Sequence, residues 1–327
     1  MKLIELFDTL EVPESSGGKI FTATSIPGHS SFRIAIDENA NPVLLLSVAD
    51  PVKSLAIKNF RLKHLQLAHN VECKISEKGK SSFQNFTVIT FTNQSRHLQE
   101  YFLRVSETLI RALKAKPTQE DVVQTLNHFI EIFRALADAP SNTVQGLWAE
   151  LFFIDIASNP VRLLNYWHNI PEERFDFSSG EEKIEIKSSG NFERVHAFSS
   201  EQLDPPEGTS VLIGSVFIRM SSTGKNIQDL VNSISAKIKN DIALIDKLDT
   251  LVIRTLGNAL EQSIRMKFDY QIAKDSFRLY RHKDIKKIER VSIPNEVTEV
   301  RYKSDLTAVQ PIEIIKMKNK GDLYSSI

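Results

Sequence analysis

The chain predicts an α/β (α+β) fold, a mixed β-sheet flanked by helices, with a β-rich domain ahead of it. Three observations carry this. Strand-like runs and turns dominate residues 19–91, helical periodicity takes over between 95 and 157, and strand and helix signals mix from Phe175 onward. At 327 residues the chain has room for two domains, or one large domain with an appendage. Such a length can bury a core without disulfides or structural metals.

Phe32-Arg33-Ile34-Ala35-Ile36 alternates, Val43 to Val48 is a short apolar run, and Phe86-Thr87-Val88-Ile89-Thr90-Phe91 is rich in β-formers. Asn39-Ala40-Asn41-Pro42 and Lys78-Gly79-Lys80 read as turns between them. These features define a β-rich domain over 1–94.

Leu98, Phe102, Val105, Leu109 and Leu113 then share one helix face, with Pro117 as its stop. Thr118 with Asp121 signals a second helix carrying Leu126, Phe129, Ile130 and Phe133. The pair is expected to form a helical bridge over 95–140. Pro140-Ser141-Asn142 ends it and precedes a third helix from Thr143 to Ala157.

Residues 141–327 are expected to form the second domain, with a C-terminal α/β extension. Phe175-Asp176-Phe177 and Lys183-Ile184-Glu185-Ile186-Lys187 read as strands joined through Ser178-Ser179-Gly180. Ser210 to Met220 reads as a buried strand, and Asn226 to Asp246 as one long helix. Phe268 to Ile272 and Val300 to Tyr302 read as short strands closing the chain.

Composition narrows the chemistry. Hydrophobic residues make up 41% and charged residues 25%, ordinary values for a globular protein. The lone Cys73 excludes an intramolecular disulfide and a Cys-based zinc cluster, and it suits a reducing cytoplasm. Apolar runs such as Leu151-Phe152-Phe153-Ile154 are too short to span a bilayer, and Met1-Lys2-Leu3-Ile4-Glu5 is interrupted by charge. A cytoplasmic protein without membrane association is expected. No Gly-x-x-x-x-Gly-Lys, His-Glu-x-x-His or Gly-x-Ser-x-Gly pattern is present, which argues against P-loop, zincin and α/β-hydrolase chemistry.

Formal net charge is +0, so nucleic-acid binding would depend on a local field. The richest basic stretch runs from Arg265 to Arg290; it reads equally as a solvated face or a phosphate-contacting patch.

The chemistry-bearing constellation lies in the second domain. Along Ile184 to Lys187 the isoleucines face one side, and Glu185 and Lys187 the other, about 6.5 Å apart. If the strand bearing Asp176 pairs with it as a hairpin, Asp176 and Glu185 converge on one cation with Lys187 beside it. Magnesium favours such hard oxygen ligands, and phosphodiester hydrolysis needs both the metal and a nearby cation. Glu72-Cys73-Lys74 shares the acid-x-Lys spacing and alternates between Val71 and Ile75, but no Asp held between apolar residues lies shortly upstream; Glu181-Glu182-Lys183 reads as a solvated turn, and Asp284-Ile285-Lys286 sits inside a charge run. Glu150 and Asp155 stand on the apolar third helix, where an acid must be paired or bind metal. For Asp155 the buried ion pair is the preferred reading.

Asp176…Glu185-x-Lys187 resembles the signature of the PD-(D/E)XK phosphodiesterase superfamily, with its restriction endonuclease-like core. Gly146-Leu147-Trp148-Ala149-Glu150-Leu151, Ile184-Glu185-Ile186-Lys187-Ser188-Ser189 and Val195 to Leu203 resemble a bacterial "PD-(D/E)XK motif protein" branch. That branch is found in defence gene clusters beside methyltransferases and ATPases. The resemblance implies metal binding by Asp176 and Glu185, catalysis by Lys187, and a supporting acid in Glu150. It also implies that Gln202 orients water or phosphate. Phe175 stands where the superfamily pattern has proline. The implied activity is a Mg²⁺-dependent (alternatively Mn²⁺-dependent) DNA endonuclease of restriction or phage defence. Methyltransferase and ATPase subunits are the implied partners, and a homodimer the implied assembly. The rivals are a non-catalytic DNA-binding or assembly subunit on the same fold, and an RNase. His196 reads as a surface or core histidine before it reads as a phosphate contact.

Overall fold

A computed structural model describes residues 2–14, 19–47, 59–77, 79–113, 119–136, 138, 143–168, 174–313 and 321–327. Lys78, Pro117, Thr118 and Pro140-Ser141-Asn142, expected to mark boundaries, lie outside these. The chain forms two compact units, Met1–Ala139 and Pro140–Ile327.

The first unit opens with a short helix α1 (Leu3–Phe7) and six strands: β1 (Ile20–Ile26), β2 (His29–Ile36), β3 (Pro42–Ser47), β4 (Phe60–Arg61), β5 (Leu65–Glu77) and β6 (Lys80–Phe91). Their order is β1-β2-β3-β6-β5-β4, and a parallel pairing of β1 with β5 joins the sheet back on itself. Period-two alternation sends Phe21, Val43, Leu45, Cys73, Phe86 and Val88 into one cluster. Cys73 is therefore a core residue, and burial pushes its thiol up to about 11.

Helices α2 (Arg96–Ala112) and α3 (Gln119–Ala135) belong to this unit. The two described helices of the expected bridge thus pack with the sheet in one unit. The apolar faces predicted for the two helices have a sheet to cover: Phe102 stacks on Phe91 of β6 at 5.2 Å, and Phe133 meets the same ring edge-on at 5.6 Å.

The second unit begins with α4 (Val144–Ile156), whose first turn is capped by Thr143 accepting from the Gly146 amide at 3.0 Å. All nine residues from Leu147 to Asp155 are buried, so α4 is a core helix with no solvated face. After α5 (Pro160–Asn165) come β7 (Phe177–Ser179) and β8 (Glu182–Ser189), an antiparallel hairpin. Its turn falls at Gly180, whose φ of +53° favours glycine. Next are β9 (Val195–Ser199), α6 (Ser200–Leu203), β10 (Ser210–Phe217) and β11 (Met220–Lys225).

The C-terminal portion contains α7 (Ile227–Lys237), α8 (Ile242–Leu256), α9 (Leu260–Arg265), α10 (Tyr270–Ser276), β12 (Arg278–Arg281) and β13 (Arg301–Asp305). The main sheet has the order β12-β10-β8-β7, with β10 parallel to β8 and antiparallel to β12, while β13 pairs with β9. This is the mixed α/β architecture expected, with α4 packed against β8.

Two expectations are corrected. The long helix over Asn226–Asp246 is two helices, because Asp241 accepts from the Leu244 amide at 3.0 Å and starts a new one. The strand over Phe268–Ile272 is instead the entry to α10, where Asp269 accepts from the Ile272 amide at 3.0 Å. In both places a local aspartate cap outweighs apolar periodicity. Among the described residues no helix is long and apolar enough to cross a membrane.

Candidate active site

The site grows out of the β7–β8 hairpin. Its ladder begins at Phe177 opposite Ile184, and Phe177 packs on Phe153 of α4 with ring centroids 5.4 Å apart. Phe175, two residues earlier, sits in a cluster with Phe198, Val211 and Ile213. The alternation that buries both phenylalanines turns Asp176 the other way. Beyond the ladder the Ile186 amide donates to Asp176 Oδ2 at 2.7 Å, so the side chain takes the place of a strand carbonyl.

On β8, Lys187 Nζ donates to Glu185 Oε1 at 2.7 Å, and the ammonium lies 5.4 Å from the centroid of the Phe198 ring. Glu185 is 5% exposed, and its Oε2 is buried without a hydrogen-bond partner. Glu150 reaches the site from α4. Its Oε2 accepts from Trp167 Nε1 at 2.9 Å and lies 2.9 Å from His168 Nε2. The Gln202 side-chain oxygen accepts from the Ser199 amide at 3.2 Å, capping α6, while its amide donates to the Arg174 carbonyl at 3.4 Å. That amide also lies beside Glu185 and favours its ionised form. The five residues singled out in the sequence, Glu150, Asp176, Glu185, Lys187 and Gln202, are therefore neighbours.

The electrostatics are those of crowded, buried acids beside one lysine. Burial, with the negative charges of Glu185 and Glu150, pushes the Asp176 carboxyl well above its ordinary range; the Ile186 amide and Lys187 oppose this. Burial also raises Glu185, Lys187 opposes that rise, and the Glu150 charge adds to it. Clustered carboxylates of this kind are stabilised when a cation enters among them. The unpartnered Oε2 of Glu185 and the hard oxygen donors of Asp176 and Glu150 fit a divalent metal.

One residue was missed in the sequence. Among the described residues, Glu150, His168 and Asp176 each offer a ligand atom, all within 4.8 Å of one another. His168 Nε2 is 4.0 Å from Asp176 Oδ1, and the His168 amide donates to the Asp176 carbonyl at 3.0 Å. No spacing rule points to His168, since it reaches the site only because Trp167 pairs with Phe177. Glu185 lies outside this compact triplet, its Oε1 already engaged by Lys187.

Asp155 behaves as the paired acid it was read to be. Ser233, Lys237 and Tyr270 donate to its carboxylate at 2.6, 2.7 and 2.7 Å. His196 is a core histidine: it is 4% exposed, its Nε2 lies 2.7 Å from Ser215 Oγ, and burial holds its pKa down at about 4. Part of the basic stretch is committed locally, with Lys287 paired to Asp204 at 2.5 Å and Arg265 to Glu261 at 3.1 Å.

A family model described as "Putative PD-(D/E)XK family member, (DUF4420)" matches residues 3–307. No curated protein and no solved structure matches the chain.

Proposed function

The chain belongs to this PD-(D/E)XK family, which supports a nuclease-like function, and from that premise we propose a Mg²⁺-dependent DNA endonuclease acting in restriction or phage defence. The observation that carries the proposal is the meeting of Asp176, Glu185 and Glu150 with Lys187 at one end of the β7–β8 hairpin.

Asp176 and Glu185 hold the cation in this reading, with Glu150 supporting from α4. A bound divalent ion polarises a phosphoryl oxygen and makes water more acidic. Lys187 stabilises negative charge that develops on the scissile phosphate, its ammonium kept in place by Glu185 and the Phe198 ring. Gln202 positions Glu185 through its amide. The Ile186 amide holds Asp176 from the backbone, so the carboxylate's direction is set before substrate arrives. Cytoplasmic DNA is the substrate of this reading. Methyltransferase and ATPase subunits, or a second copy of the chain, are its partners.

The test is plasmid nicking and cleavage with Mg²⁺ or Mn²⁺ by wild type, Glu185→Ala and Lys187→Ala. Loss of about 10²-fold or more in either variant supports the proposal, the scale set by removing one transition-state donor. Equal products from all three proteins would leave a non-catalytic DNA-binding or assembly subunit, for which the balanced charge of 41 basic and 41 acidic residues speaks. An RNA substrate in the same assay separates RNase from DNase activity.

A further inference from the structure

His168 stands in the left-handed region, with φ of 41°, a conformation that costs a non-glycine residue free energy and persists where surrounding contacts enforce it. The contacts are visible. Trp167 pairs with Phe177, the His168 amide donates to the Asp176 carbonyl at 3.0 Å, and the Ser178 amide donates to the Tyr166 carbonyl at 3.0 Å. They lash the segment to Asp176 and the start of β7. The result is a ring whose Nε2 lies 2.9 Å from Glu150 Oε2 and 4.0 Å from Asp176 Oδ1.

We infer that His168 is a nitrogen ligand of the site's metal, completing a Glu150–His168–Asp176 set. The inference rests on the metal-dependent reading proposed above and deepens it. A second observation bears on the same acids: the Glu185 and Glu150 charges both act on Asp176, and Glu185 keeps a buried Oε2 that makes no hydrogen bond. Glu150, His168 and Asp176 thus present ligand-type atoms within 4.8 Å of one another, with the Glu185 carboxyl nearby. Ligation requires the Nε2 lone pair, so the imidazole binds as the neutral tautomer with its proton on Nδ1. Trp167 Nε1 continues to donate to Glu150 and orients that carboxylate.

A mixed nitrogen and oxygen set changes the expected metal. Magnesium favours oxygen ligands and keeps several waters, whereas imidazole favours first-row transition ions. His168 therefore tilts the site toward Mn²⁺ and Co²⁺ and away from Mg²⁺.

The test uses the full chain and bound Mn²⁺, read by pulsed electron paramagnetic resonance and by titration. Wild type should show coupling of the manganese to a nitrogen nucleus. His168→Asn keeps a residue that tolerates positive φ, and it should lose that coupling. Its Mn²⁺ affinity should fall at least about tenfold, with a smaller loss for Mg²⁺. Asp176→Asn serves as the control for binding at this site. Mn²⁺ binding that Asp176→Asn abolishes, without nitrogen coupling or with coupling that survives His168→Asn, overturns the inference and leaves the metal-dependent reading intact. Absence of any Asp176-dependent Mn²⁺ or Mg²⁺ binding overturns both.

Discussion

The Asp176 carboxylate accepts the backbone amide of Ile186 at 2.7 Å, where the β7–β8 ladder has run out of strand. A side chain thereby becomes the last rung of the hairpin. The arrangement ties an acid to the strand that carries Glu185 and Lys187, and leaves its charge close to two other carboxylates.

Asp176→Asn should stabilise the metal-free protein and weaken metal binding. The amide oxygen still accepts from Ile186, while the repulsion from Glu185 and Glu150 disappears. A gain of a few degrees in Tm is expected, at about 2–4 °C per kcal/mol for a unit of this size. Thermal unfolding with and without Mn²⁺ checks both halves; a lower Tm for the metal-free variant contradicts the first.

The same carboxyl predicts a pH trend. Its folded-state pKa is raised, so the native form binds the proton more tightly than the unfolded chain. This contribution to stability is complete below the ordinary carboxylate range and is lost as pH rises through the raised value. Metal-free wild type should therefore lose stability over that window, more steeply than Asp176→Asn. Denaturant titrations across mildly acidic to neutral pH measure the difference in slope.

Lys187→Met should cost about 3 kcal/mol in the absence of metal. It removes the ammonium paired with the buried Glu185 carboxylate, and breaking such a pair strands a charge. Glu185→Gln added to Lys187→Met should recover most of the loss, because the stranded charge is gone. A double-mutant cycle by chemical denaturation reads this directly.

Glu150 and Asp155 share one buried helix and should respond oppositely. Asp155→Asn should destabilise by about 2 kcal/mol, discounted because Lys237 is partly exposed, and leave metal affinity unchanged. Because the folded pKa of Asp155 is lowered, that stability is present above the ordinary carboxylate range and disappears as pH falls through the lowered value. Glu150→Gln should instead lower metal affinity with little loss of stability. Calorimetric metal titration beside urea unfolding separates the two.

Gly214→Ala should damage the site from beneath. A Cβ at Gly214 would lie 2.6 Å from Ile186 Cδ1 and 3.1 Å from the Phe277 ring. Both neighbours must shift, at about 1–3 kcal/mol. Since the Ile186 amide holds Asp176, metal affinity should fall along with Tm. Unchanged affinity in a destabilised variant would sever that link.

Much of this site can be read along the chain. Two apolar residues flanking Asp176, and the alternation of Ile184 and Ile186 with Glu185 and Lys187, are local patterns, and local patterns decide which way side chains face. The apolar run around Glu150 and Asp155 likewise announces a buried helix carrying two acids. Which acid belongs to the site is not local. Asp155 finds Lys237, Ser233 and Tyr270 from elements some 80 to 115 residues away, whereas Glu150 meets Trp167 and His168 beside Asp176.

What the amino-acid order determined by itself is the hairpin, the core helix and the shared strand face of Glu185 and Lys187, because each follows from periodicities shorter than one element. What only tertiary structure decided is the pairing of Asp155, the capture of the Ile186 amide by Asp176, and the arrival of His168 beside Glu150. Those depend on where separate segments are brought to meet, and on a backbone twist at His168 that no residue preference demands. Aspartates at positions 241 and 269 show the same limit on a smaller scale, since a cap of one hydrogen bond redirected what apolar spacing had implied.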